Sequence, residues 1–292
     1  HGRSHRTGGM TDNEGTLSPE TAVGRTALVV NDLETVVGFY RDVVGLAVRD
    51  RRAERATLGA GGDPLLVLGE DPEAPARPAS SAGLFHTAFR VPSRAALGDA
   101  LCRIRERWEL DGASDHRVSE ALYLDDPEGN GVEVYRDRPR PEWPTDADGR
   151  VEMDTLPLDL DALADDAAGE PAVPSGTDVG HVHLEVSDLS AARRFYVGAL
   201  GTNVRQEWGP SALFVAAGDY HHHVGLNTWN RRSEPRAGRG LDWFELGLPD
   251  GGSLEATRDR LAAAGVEPVP IDGGFEVRDP DGIPVRLRVE GP

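Results

Sequence analysis

Residues 24–49 read GRTALVVNDLETVVGFYRDVVGLAVR, and residues 180–205 read GHVHLEVSDLSAARRFYVGALGTNVR. Aligned without a gap from Gly24 and Gly180, they share Leu28/Leu184, Val30/Val186, Asp32/Asp188, Leu33/Leu189, Phe39/Phe195, Tyr40/Tyr196, Gly45/Gly201, Val48/Val204 and Arg49/Arg205. Ungapped identity at a fixed period marks an internal duplication. A weaker pair follows: GLFHTAFRVPSRAAL from Gly83 aligns with GLDWFELGLPDGGSL from Gly240. Both of these units close on a DP-x-G turn, Asp126-Pro127-Glu128-Gly129 and Asp279-Pro280-Asp281-Gly282. The chain is therefore A-B-A′-B′, with units at 22–72, 83–138, 178–230 and 240–292.

Each unit opens on an alternating apolar strand such as 181–186. A helix follows, started by Asp32 or Asp188, whose short carboxylates suit an N-cap. Shorter strands come next, separated by Gly and Pro turns such as GAGGDP and DPEGNG. The expected fold is α+β: four βαβββ units forming two paired curved-sheet domains, 22–138 and 178–292. Residues 139–177 are Pro-rich and acidic, with one helical patch over 158–168, and read as a surface linker. The opening HGRSHRTGGM reads as a tag remnant before a start at Met10, and 1–21 as a tail.

The chain carries 50 acidic residues against 31 basic ones, a net charge of −19, and every basic residue is Arg. That balance argues against nucleic acid or an anionic membrane as partner. No apolar run approaches the ~18 residues a membrane span needs. Acidity without Lys fits a salt-adapted organism, where ions screen the self-repulsion. The single cysteine, Cys102, excludes an internal disulfide and a Cys-rich zinc site; it reads as a helix core residue of a cytoplasmic protein. A homo-oligomer is among the expected partners.

Seven histidines follow Met10: 86, 116, 181, 183, 221, 222 and 223. A lone strand histidine is usually a satisfied polar residue; placement at equivalent points of repeated units changes that reading. His86 lies in the first strand of B, Glu133 in its last, and His181 in the first strand of A′. The other two units carry Trp243, Arg286 and Arg25 at these places, and Arg cannot ligate a metal. One site is expected, not two, with B facing A′ and A paired with B′. Two imidazoles and a carboxylate on one side of a metal leave the other side open, which suits non-haem Fe(II) binding substrate and O₂ together, with Mn(II) as a lesser alternative. Phe85, Tyr123 and Trp229 are candidates for an apolar pocket. Trp243 is weighed with them but read rather as core. Tyr220 to His223 are placed on the last strand of A′, where alternation separates His222 from His221 and His223.

These stretches, GLFHTAFRVP, SDHRVSEALYLDDPEGNGVEVYRDRP, GHVHLEVSDL and GDYHHHVGLNTW, resemble the vicinal oxygen chelate (glyoxalase/bleomycin resistance/dioxygenase) superfamily. Within it they resemble the bacterial catechol 2,3-dioxygenase-like type I extradiol dioxygenases. The resemblance implies metal ligation by His86, Glu133 and His181, a role for Tyr123 ten residues before Glu133, and acid–base work by His222. His116 and Asn227 are read as orienting a second catechol oxygen. The implied partners are a small aromatic diol and O₂. One departure stands out: the His-plus-Glu unit precedes the single-His unit, the reverse of the better-known ring-cleaving enzymes. Two alternatives stay open at this point. A glyoxalase-like lyase or isomerase would use a fourth ligand, for which His183 is the candidate, though a supporting role suits His183 better. A metal-free binding protein of the same superfamily would need no ligand triad.

Overall fold

The computed structural model describes residues 16–290; the tag remnant and Met10 lie outside them. Unit A comprises β1 (Ala22–Val30), α1 (Leu33–Phe39, prolonged by a π-turn, Tyr40–Val44), β2 (Ala47–Arg51), β3 (Arg55–Ala60) and β4 (Asp63–Glu70). Unit B comprises β5 (Gly83–Arg90), α2 (Arg94–Arg107), β6 (Gly112–Asp115), β7 (Ser119–Asp125) and β8 (Gly131–Asp137). After a short helix α3 (Leu160–Asp165), unit A′ runs through β9 (Asp178–Glu185), α4 (Leu189–Arg193, with a π-turn at Arg194–Ala199), β10 (Asn203–Trp208), β11 (Ala212–Ala216) and β12 (Val224–Asn227). Unit B′ runs through β13 (Gly240–Leu248), α5 (Gly251–Ala263), β14 (Val269–Ile271), β15 (Gly274–Arg278) and β16 (Pro284–Val289).

The α+β fold follows the repeat. Two mixed eight-stranded sheets form, ordered β14-β15-β16-β13-β1-β4-β3-β2 and β10-β11-β12-β9-β5-β8-β7-β6. Each joins one unit of each half through an antiparallel pair of first strands, β1 with β13 and β9 with β5. B thus lies beside A′ and A beside B′, and the reversed order of the ligand-bearing units does not separate them.

The repeated residues explain how the units hold together. Asp32 and Asp188 cap α1 and α4 by accepting from Thr35 N and Ala191 N, each at 3.1 Å. Tyr40 and Tyr196 are fully enclosed, and their hydroxyls donate to Asp126 Oδ2 at 3.0 Å and Asp279 Oδ2 at 2.8 Å. The other oxygen of each aspartate accepts two backbone N–H groups of its own DP-x-G turn. Burial raises the carboxyl of Asp279 to about 6. The paired Phe-Tyr and Asp-Pro motifs are therefore one joint, used twice, between consecutive units.

Three expectations need correction. Residues 139–177 do not simply lie on the surface. Trp143 and Val151 are buried beside Tyr220 and Val118, and Leu163 of α3 is fully buried against α2. The helical patch is shorter than 158–168, ending at the Asp159 cap and at Asp165. Cys102 does sit on a helix, α2, but on its exposed face.

Candidate metal centre

The register of the second sheet builds the site around one small residue. Ala88 of β5 is fully buried; His181 of β9 lies opposite it on one side and Glu133 of β8 beside it on the other. His86 is two residues back along β5, on the same face. Three side chains thus rise around an alanine that leaves the space between them open. The ligand atoms of His86, Glu133 and His181 all lie within 4.8 Å of one another, and all three residues are buried. His86 Nε2 and His181 Nε2 approach the same carboxylate oxygen, Glu133 Oε2, at 2.8 and 2.9 Å. Despite that approach, the His86 nitrogen makes no hydrogen bond. Buried polar atoms are normally satisfied; an orphaned imidazole nitrogen converging with a second imidazole and a carboxylate fits a metal ion as the missing partner.

The electrostatics agree with that fit. Burial drives His181 down to about 4 against the pull of Glu133, so its ring is neutral and keeps a lone pair at pH 7. Burial pushes the Glu133 carboxyl up, but His181 and His86 outweigh it and hold the group well below the usual range. An ionised carboxylate and a neutral imidazole are the states in which these groups ligate metals.

The site floors a cavity of about 310 Å³. A β-bulge between Leu84 and His86 turns Phe85 so that two consecutive residues face this space. Phe85, Trp229 and Phe214 form an aromatic wall, with Trp229 half-exposed at the mouth. Tyr123, opposite Glu133 on β7, lies with its ring 5.7 Å from that of His86. Burial and the nearby Glu133 carboxylate raise its hydroxyl well above 10, so it stays protonated. His116 also lines the wall. Its Nδ1 faces the carbonyl of Asp154 at 2.7 Å and its Nε2 makes a short hydrogen bond with the Tyr123 hydroxyl. Asn227 does not reach the cavity. It is fully buried behind His183, donating from Nδ2 to His183 Nε2 at 2.9 Å. That bond commits His183 elsewhere, and His183 is not part of the ligand cluster.

The histidine run differs from expectation. Residues 219–223 form the loop between β11 and β12 rather than a strand, so alternation does not sort them. His222 lines the cavity, its ring 4.0 Å from that of His181. Burial holds His222 well below 6.5, as it holds His223, down to about 3. His221 sits directly behind His222, the two Nδ1 atoms 2.7 Å apart. Trp243 belongs to the other sheet, stacked between the guanidiniums of Arg25 and Arg286 at 5.3 and 4.2 Å. There Glu245 occupies the place of Ala88 and binds Arg25, so the corresponding space is filled.

Sequence reasoning missed Met153 and Thr155, which reach the cavity from the 139–177 segment. Gln206 grips Met153 through both its backbone groups, at 2.9 and 3.1 Å, and Asp115 pairs with Leu156. An apolar Met and a Leu in an acidic, Pro-rich stretch were the available signal.

A fold of two paired sheets with, among the described residues, one three-residue centre defines a class. The family model described as the Glyoxalase/Bleomycin resistance protein/Dioxygenase superfamily matches residues 22–134 and 178–287, and the chain belongs to that superfamily. Within it, the chain is a homologue of the catechol-2,3-dioxygenase of Bacillus subtilis (strain 168), 40% identical over 272 residues, which cover 90% of this chain and 95% of the relative. Among solved structures, a provisional dioxygenase of the same organism matches with TM-score 0.66 at 15% identity, covering 93% of this chain and 86% of its own. Glyoxalase I of Zea mays matches with TM-score 0.58 at 17% identity, covering 92% of each chain. At those identities the two structures speak for the fold alone. No helix among the described residues is long and apolar enough to cross a membrane.

Proposed function

We propose that the protein is an extradiol dioxygenase that opens catechol-type rings with O₂ at a mononuclear Fe(II), with Mn(II) as the alternative metal. The carrying observation is the three-ligand cluster, open on its cavity side, in a chain 40% identical to a catechol-2,3-dioxygenase. His86, Glu133 and His181 would hold the metal, whose chemistry is to bind both diol oxygens and O₂ at one centre. Phe85, Trp229 and Phe214 clamp the faces and edge of the ring. His222, neutral and directed into the cavity, accepts the second diol proton and returns it later as an acid. Tyr123, positioned by His116, supplies a polar contact on the opposite wall, and Asn227 acts only through His183. Against the four-ligand lyase reading stands the position of His183, outside the converging ligand cluster and with its Nε2 engaged by Asn227.

We further take 22–138 and 178–292 as the two glyoxalase-like domains of the sequence, in line with the family match, each giving one unit to each sheet, and a salt-rich cytoplasm as the setting that suits the charge of −19. The test is O₂ uptake by the Fe(II)-loaded protein with simple catechols. Consumption of one O₂ per ring, with a product two oxygen atoms heavier, is expected. No uptake with any catechol, while Fe(II) stays bound, would defeat the proposal.

A further inference from the structure

We propose that Asp137 and His221 fix the tautomer of His222, so that His222 meets the cavity with an unprotonated Nε2. The inference rests on the reading of His222 as the proton acceptor, and names the residues that prepare it. The direction of the chain of bonds is set at its Asp137 end. An aspartate carboxylate offers acceptors only. Asp137 Oδ1 lies 2.7 Å from His221 Nε2, so that nitrogen carries a hydrogen. In the proposed arrangement both rings carry a single proton, so His221 has its lone pair on Nδ1, which faces His222 Nδ1 at 2.7 Å. Two lone pairs cannot meet at that distance, so His222 Nδ1 carries the hydrogen and donates it. The remaining nitrogen of a neutral His222 is therefore an acceptor.

The arrangement is insulated. His221 is completely buried, with the ring of Tyr220 at 4.1 Å and that of Trp143, from the 139–177 segment, at 5.1 Å. Asp137 itself is anchored. Its Oδ2 accepts from the Tyr220 hydroxyl at 2.8 Å and from Arg90 Nη1 at 3.2 Å, and Tyr135 donates in turn to Tyr220 at 2.7 Å. The Tyr135 hydroxyl needs the bare backbone of Gly180, where a Cβ would stand 1.7 Å from it. Asp137 also lies four residues beyond Glu133 on β8, hence on the same face. One strand thus supplies both a metal ligand and the anchor of the acceptor histidine.

Asp137→Asn separates this role from simple support of the loop. Arg90 and Tyr220 both donate to the Oδ2 side, so the amide oxygen takes that side and the NH₂ group faces His221. The direction then reverses: His221 Nε2 accepts, its Nδ1 donates, and His222 presents Nε2–H to the cavity. In serine proteases the equivalent Asp-to-Asn change leaves geometry intact and lowers kcat by about 10⁴ through the wrong tautomer. Here the full chain is labelled with ¹⁵N-histidine and loaded with Zn(II) as a diamagnetic probe. We expect His222 protonated at Nδ1 in the native protein and at Nε2 in Asp137→Asn. With Fe(II), we expect kcat to fall at least ~10²-fold while KM stays within about twofold and metal content is unchanged. Native His222 protonated at Nε2 overturns the proposal, and this holds even if the variant fails to fold. An unchanged tautomer or unchanged kcat in a folded variant overturns it as well. If the native protein cleaves no catechol, the functional reading fails while the nitrogen spectra still decide the tautomer.

Discussion

Acidification of the metal-free protein should cost it a large share of its stability between pH 7 and pH 5. Burial keeps four imidazoles neutral in the fold: His181 at about 4, His223 at about 3, and His183 and His222 well below the ordinary value. In the unfolded chain each titrates near 6.5. Below that pH the unfolded chain binds protons that the folded one refuses, so stability falls as pH drops from 6.5 toward 4. At pH 5, roughly 1.5 pH units below 6.5, His181 and His223 each cost about 2 kcal/mol at 1.36 kcal/mol per unit, about 4 kcal/mol together. His183 and His222 add to the loss in the same direction. Asp279 works the other way: burial raises it to about 6, so the folded state takes its proton first and recovers about 1.4 kcal/mol at pH 5. Glu133, held well below the usual range, contributes outside this window. The net loss from His181, His223 and Asp279, about 2.6 kcal/mol before His183 and His222 deepen it, is a large share of the stability of an ordinary domain. The assay is urea unfolding followed by circular dichroism at pH 7, 6 and 5, after chelation, because a bound metal would itself hold its ligands neutral. A loss under ~2 kcal/mol, or greater stability at pH 5, would refute the assignment of four buried neutral imidazoles.

Other consequences follow from the same geometry. His222→Phe should retain its metal and slow turnover by ~10²-fold or more; loss of metal from that variant would make His222 a ligand. Leu163→Ala should destabilise the protein by about 2–5 kcal/mol, because it empties a fully enclosed site between α3 and α2, and a change under 0.5 kcal/mol in urea unfolding would deny that contact.

The repeat made the architecture legible in the sequence, because identical residues serve identical joints. Asp32 and Asp188 cap helices, and Tyr40 and Tyr196 seat the two DP-x-G turns. The pairing of B with A′ was readable from where ligand-type residues fell, since Arg25, Trp243 and Arg286 cannot take those roles. Local pattern misled where long-range contacts decide. Tyr220 to His223 precede an apolar Val-Gly-Leu and read as strand, yet contacts with Asp137, Tyr135 and Trp143 hold them as a loop. Residues 139–177 look solvated because acidic and proline residues outnumber the few that matter. Trp143, Met153 and Leu163 are too widely spaced to show any period. The relay behind His222 was likewise invisible, since Asp137 and His221 are 84 positions apart and meet only through the sheet.

The central claim is that His86, Glu133 and His181 together hold one metal ion. Metal analysis of the protein purified without oxygen, beside its Glu133→Ala variant, tests it most directly. The account predicts about one iron per native chain, lost to a strong chelator together with activity, and none retained by Glu133→Ala. A native chain that binds no divalent metal, or a Glu133→Ala variant that keeps a full complement, would contradict it.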